Sequence, residues 1–130
     1  MYCFDLDTNK WEKIQYLNNA PSPRGGHTVF SIDKKIYIYG GWNSESQFNN
    51  TIVFDLTTSE WSDPDIYNDT ARWNHCAVMV KAIPSCKYFI FGGESSDFPE
   101  GGPRNFGHCV NSTCYLDIET MKWSNISTED

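Results

Sequence analysis

Arg24 and His27 are separated by two residues, and so are Arg72 and His75. Arginine binds anions, and histidine is the side chain best suited to proton transfer and metal ligation near neutral pH. Two more pairings invite chemistry. The dipeptides His75–Cys76 and His108–Cys109 offer nitrogen and sulfur donors of the kind zinc takes. Adjacent strand residues point to opposite faces, so one such dipeptide does not supply two ligands to one ion. "DLDTNKWEKIQY" opens like a calcium loop, with Asp5, Asp7 and Asn9 in alternate places. Its sixth position is Lys10 where a calcium loop has glycine, and its twelfth is Tyr16 where the loop has glutamate. No nucleophile–base pair, paired acids or cofactor loop can be read from the sequence. The reading is therefore of a chain without catalytic residues, metal or cofactor.

The repetition of these residues is more informative than their chemistry. "FDLDTNKW", "FDLTTSEW" and "LDIETMKW" repeat an apolar–Asp–apolar run, a polar turn and a tryptophan, at Trp11, Trp61 and Trp123. "KIYIYGGW" and "KYFIFGGE" repeat an apolar run closed by Gly40–Gly41 and Gly92–Gly93. Each unit runs Arg-x-x-His, apolar run, Gly-Gly, loop, Asp, Trp, and the period is about 50 residues. "HTVFSI", "IYIYGG", "NTIVFDL" and "WSDPDI" read as four short strands, the last a polar edge strand with Pro64. No helical spacing persists for three turns. A glycine pair could open a phosphate-binding loop, but that requires a following helix, and none is predicted here. Gly40, Gly41, Gly92 and Gly93 are thus read as structural, like the three tryptophans. A four-stranded sheet with two apolar faces must stack on neighbours, as the blades of a β-propeller do.

"PRGGHTVFSIDKKIYIYGGW…NNTIVFDLTTSEW" and "ARWNHCAVMV…KYFIFGGE…CYLDIETMKW" resemble the kelch repeat family. The resemblance implies an all-β, kelch-type propeller of four-stranded antiparallel blades, here incomplete. Residues 1–16 read as the last two strands of a preceding blade, 17–66 as one blade, and 67–130 as a second with a long 94–112 loop. The second unit departs from the pattern: "WN" follows its arginine, and "KAIPSC" is inserted at 81–86. A closed propeller needs roughly 4–8 blades, so the chain is expected to be part of a longer one. Self-assembly into a ring is the alternative.

Composition limits function further. Ten Lys and Arg against 17 Asp and Glu give a net charge of −7 and a pI of about 4.8. That is the wrong sign for nucleic acid or an anionic membrane surface. No apolar run approaches a membrane span, and no export signal follows Met1. The five cysteines, an odd number, fit reduced thiols in the cytoplasm. Cys76, in an apolar strand, is expected in the core. The four Asn-x-Ser/Thr sequons, at Asn49, Asn68, Asn111 and Asn125, are read as chance.

The resemblance also implies a role. Kelch-like propellers bind proteins through loops joining the second and third strands and loops joining successive blades. These map to 42–50, 94–112, 15–26 and 63–74. Trp42, Arg72, Trp73, Phe98 and Arg104 are the expected contacts, because exposed aromatics and arginine dominate interface energies. Arg24 and Arg72 could clamp an acidic peptide, or each could hold groups of its own blade. Trp73 could instead be wedged between blades. The expected function is a protein-interaction scaffold. The alternative is the targeting propeller of a larger enzyme, such as a Ser/Thr phosphatase or a ubiquitin-ligase adaptor. Some kelch-like propellers are copper oxidases that use tyrosine, histidine and a tyrosine–cysteine crosslink. The seven tyrosines and five cysteines here do not by themselves mark such a site.

Overall fold

A computed structural model of the chain describes residues 1–18, 20–81, 85–96 and 107–127. Every regular element among them is a strand. β1 (Tyr2–Asp5) and β2 (Lys10–Lys13) form a hairpin. β3 (Thr28–Ile32), β4 (Lys35–Tyr39), β5 (Asn50–Asp55) and β6 (Glu60–Tyr67) form one four-stranded antiparallel sheet in sequence order. β7 (Cys76–Val80), β8 (Lys87–Phe91), β11 (Thr113–Asp117) and β12 (Lys122–Ile126) form a second. Between β8 and β11, β9 (Glu94–Ser95) and β10 (His108–Cys109) pair as a small ribbon. The sequence predicts only a loop there; a pairing this short carries no periodic signal of its own.

The repeated Asp has a local cause. Oδ1 of Asp5, Asp55 and Asp117 accepts the amides two and three residues ahead: Asp7 and Thr8, Thr57 and Thr58, Glu119 and Thr120. Each turn then ends on a residue with positive φ: Asn9, Ser59 or Met121. This closes the hairpin in register and sets Trp11 opposite Phe4, Trp61 opposite Phe54 and Trp123 opposite Leu116. The amides also hold the three carboxyls below the usual range, Asp117 at about 2 with help from Ser85 Oγ. Asp5 therefore shapes a turn, as its repetition predicts. Lys35–Asp55 (3.7 Å) and Lys87–Asp117 (3.5 Å) are equivalent ion pairs at the feet of the two sheets.

β6 is longer than the short edge strand expected. It runs eight residues, because its register against β5 shifts between Thr51 and Val53. The bulge holds Asp63, Pro64 and Asp65, and Asp65 has φ of 57°. An edge bulge tolerates a proline that lacks a ladder donor.

The core lies between the two sheets. Phe30, Tyr37, Tyr39 and Val53 of one meet Tyr88, Ile90, Cys114 and Leu116 of the other. Phe30 stacks on Tyr37 and tilts against Tyr88, with ring centroids 4.6 and 4.2 Å apart. Trp123 reaches across to Tyr39, at 4.6 Å. The buried core cysteine is Cys114, bonded by Asn68 Nδ2. Cys76 is exposed, contrary to expectation. Its strand neighbour His75 is buried at the seam, so alternation turns Cys76 to the outer face with Val78 and Phe91.

Glycine makes the seam close. Gly41 N donates to Arg72 O at 2.9 Å, and Asn74 N donates to Gly26 O at 2.8 Å, so backbone meets backbone across the sheets. At the seam a Cβ on Gly40 would lie 2.6 Å from Arg72 O of the other unit. Within the second unit, Gly93 has φ of +88°, and a Cβ there would lie 2.6 Å from Trp73 O and 2.9 Å from His75 Cβ. Beside it, His75 Nε2 hydrogen-bonds Thr28 Oγ1 of the other sheet at 2.6 Å. Burial, the Arg72 charge and His27 push the His75 pKa down to about 4.

Two outcomes follow from these contacts. Gly93→Ala combines positive-φ strain with a backbone clash and should destabilise the fold by about 2 kcal/mol or more. At Gly25 the φ is not positive and a Cβ would meet nothing within 4 Å, so Gly25→Ala should be near neutral in the same thermal unfolding assay. His75 is held neutral in the fold but gains a proton when unfolded near pH 6.5. Its contribution is therefore complete above that pH and is lost as pH falls toward 4, by roughly 3 kcal/mol. His75→Gln should flatten the decline in melting temperature between those pH values; an unchanged slope would exonerate His75. The lowered aspartates act below this window.

Candidate functional site

Antiparallel pairing gives each sheet two unlike ends. At one end lie the tight turns beginning at Asp33, Leu56 and Ile118. At the other, the Gly-Gly pairs release the chain into the inter-strand and inter-blade loops. The expected contact residues within the described chain belong to this loop end.

Of the expected contacts within the described residues, Trp42 is placed most openly. It pairs with Gly25 through Gly25 N→Trp42 O (2.9 Å) and Trp42 N→Gly25 O (3.0 Å), yet its side chain is 47% exposed. Trp73 and Glu94 make the equivalent bridge in the second unit, at 3.0 and 2.9 Å. Trp73 is half-buried. A Cβ on Gly26 would lie 3.1 Å from Trp73 Cβ, and one on Gly107 would lie 2.7 Å from the edge of its indole. The two indoles stand 6.2 Å apart at 46°. The loops bearing them are tied together, because Ser96 N donates to Gln47 Oε1 at 2.9 Å. Two tryptophans drawn from different repeats thus form one feature. Sequence spacing could not show this, because they occupy non-equivalent places in their units.

The arginines face inward. Arg72 is 1% exposed, and its guanidinium donates to Gly92 O (3.2 Å), Ser112 O (3.4 Å) and Ser112 Oγ (3.1 Å). Among the described residues no carboxylate pairs with it, so carbonyl dipoles carry the charge. Arg24 repeats the arrangement, donating to Gly40 O (3.2 Å) and Asn50 Oδ1 (3.0 Å) with its guanidinium 3.7 Å over the Phe48 ring. The paired clamp on an acidic peptide is therefore not what the fold builds: each arginine braces its own Gly-Gly turn. Burial lowers the Arg24 pKa, while Asp63 opposes that shift. Arg72 is buried between Gly92 and Ser112 of its own unit and Tyr39 of the neighbouring sheet, and the latter contact an isolated reading of its unit could not foresee.

Phe98 and Arg104 lie outside the described residues. Of the structural residues, Gly40, Gly41, Gly92 and Gly93 all have positive φ, from 67° to 91°. Trp61 and Trp123 are partly buried against Phe54 and Tyr39, while Trp11 is 69% exposed beside Phe4.

Comparison with known proteins agrees with this architecture. The KLHDC2/KLHL20/DRC7 Kelch-repeats domain matches residues 1–130. Kelch domain-containing protein 3 of Bos taurus is 29% identical over 127 residues, 95% of this chain and 32% of its own length. Acyl-CoA-binding domain-containing protein 4 of Arabidopsis thaliana is 29% identical over 131 residues, 98% of this chain and 18% of its own. The tRNA wybutosine-synthesizing protein 2/3/4 of Oryza sativa subsp. japonica is 31% identical over 117 residues, 88% of this chain and 10% of its own. The chain thus spans about a third or less of these relatives. Repeated Asp turns, positive-φ glycine pairs and stacked four-stranded sheets, with a family match along its whole length, make this chain a member of the kelch-repeat family.

Proposed function

We propose that the chain is a non-catalytic protein-docking segment of a kelch-type propeller, with blades at 17–66 and 67–130, and that partners dock on its loop end. Kelch repeats are in general protein-interaction modules. The observation that carries the reading here is the Trp42–Trp73 pair, a large aromatic surface left half open where two blades meet. Rigid aromatic anchors at the centre of an interface contribute most of its affinity. The backbones that carry both indoles are held by bridges, so binding need not order these loops further. The work of a larger protein, including any enzyme this propeller serves, would be done by other domains that the docked partner reaches. The cytoplasm, with its reduced thiols, is the compartment this reading assigns.

Arg72 is assigned to the scaffold and not to the contact surface. Arg72→Met leaves the buried Gly92 carbonyl without its guanidinium donor, and Ser112 O with the Gly92 amide alone, and should cost roughly 3 kcal/mol in chemical denaturation, more than Arg24→Met at its half-exposed site. Arg72→Lys should not recover that stability, since one ammonium does not reproduce the planar fork. For docking, a photoreactive phenylalanine analogue replaces Trp42 in the cell, and separately Lys34 at the turn end. A protein adduct at position 42 and none at 34 is the expected result. Equal labelling at both, or none at 42, removes the loop end as the docking face.

A further inference from the structure

The two ends of the sheets carry different charge balances. Beside the tight turns, Lys34, Lys35, Lys81, Lys87 and Lys122 stand among Asp33, Asp55, Glu60, Asp117 and Glu119. The loop end of the two blades carries Glu45, Asp65, Asp69 and Glu94, and its two described arginines are engaged inward. Within this acidic end, Glu94 lies directly opposite Trp73 in the bridge. Its Oε2 and the Trp73 indole edge both fall within 3.2 Å of one point, where a Cβ on Gly107 would sit. Oε1 accepts Asn74 Nδ2 at 3.4 Å, which steadies the carboxylate. The open indole of Trp42 stands 6.2 Å from that of Trp73.

An indole face carries the negative part of its quadrupole, and a carboxylate beside it adds a full charge. Such a corner attracts a cation and repels an anion. Of the two natural cationic side chains, arginine fits better: its flat guanidinium stacks on an indole while its edge donates two hydrogen bonds to a carboxylate. Resting on the docking face proposed above, we propose that the Trp42–Trp73–Glu94 corner receives an arginine from a basic segment of a protein partner. The net charge of −7 favours the same partner at longer range. This is the opposite of the acidic peptide that Arg24 and Arg72 could have clamped, because the fold engages both of those cations.

The test uses the protein as the cell makes it, with acetylated hexa-arginine and hexa-glutamate peptides as probes in isothermal titration calorimetry. The arginine peptide should bind and the glutamate peptide should not. Trp42→Ala and Glu94→Gln should each weaken binding about tenfold, and Trp42→Phe should restore most of it. Glu94→Gln should also reduce the sensitivity to salt. Thermal unfolding of each variant verifies that the fold is intact, as expected for substitutions on exposed or half-exposed side chains. Arginine-peptide affinity indifferent to both Trp42→Ala and Glu94→Gln means diffuse attraction and overturns the proposal, as does preferential binding of the glutamate peptide. If the arginine peptide fails while the adduct at position 42 persists, the cationic chemistry is wrong and the docking face stands. If both fail, both readings fall.

Discussion

A guanidinium buried to within 1% of its surface, without a carboxylate to balance it among the described residues, organises the centre of this molecule. The Arg72 side chain turns into its own blade to hold Gly92 and Ser112, while its backbone carbonyl accepts Gly41 N of the neighbouring blade. A buried charge left unpaired is costly, so the carbonyls must converge where they do. They can do so because Gly92 ends the strand with φ of 67° and turns the chain past the guanidinium. One residue thus links the closure of a strand within a blade to the stacking of two blades.

The rest of the seam follows from that spacing. Backbones drawn this close leave no room for a Cβ at Gly40, as the turns of each blade leave none at Gly41 or Gly93, and the apolar faces on either side of the seam meet as tightly packed aromatic rings. His75 fills the remaining polar place by bonding Thr28, and burial together with the Arg72 charge favours its neutral form. The same closeness carries outward. Once Gly26 pairs with Asn74 and Trp73 with Glu94, the indole of Trp73 is delivered next to that of Trp42. The surface feature we assign to docking is therefore a consequence of the buried one. A propeller of this kind can vary its loops while the glycines and the arginine hold the frame that presents them.

Function on such a frame separates by end. The turn end is ordered by Asp side chains that saturate their own turns and by lysines paired to two of them. Side chains engaged in this way hold a hairpin in register and offer little to a partner. The loop end has backbone bridges and leaves the Trp42 indole open, with the partly exposed Trp73 indole and Glu94 carboxylate beside each other. Groups satisfied at one end and in surplus at the other favour recognition at the loop end.

The sequence by itself determined the strands, their order and the family pattern. These depend on local rules: alternation, Asp turns, glycine where φ must be positive, and a tryptophan set opposite an apolar residue. Each acts within a few residues and repeats, so repetition alone exposes it. What the sequence could not settle were the surroundings of side chains at blade boundaries. Its pattern opens Arg72 to a partner and puts Cys76 in the core, whereas Arg72 is buried and Cys114 holds the core place. The groups that engage Arg72 and Cys114 lie far away in the chain, Gly92 and Ser112 for the one and Asn68 for the other, while the buried place of His75 turns Cys76 outward. The short β9–β10 ribbon and the bulge at Pro64 also escape a sequence reading, since neither has a period. Only stacking brings Trp42 and Trp73 together, because their nearness depends on how two blades dock and not on either repeat.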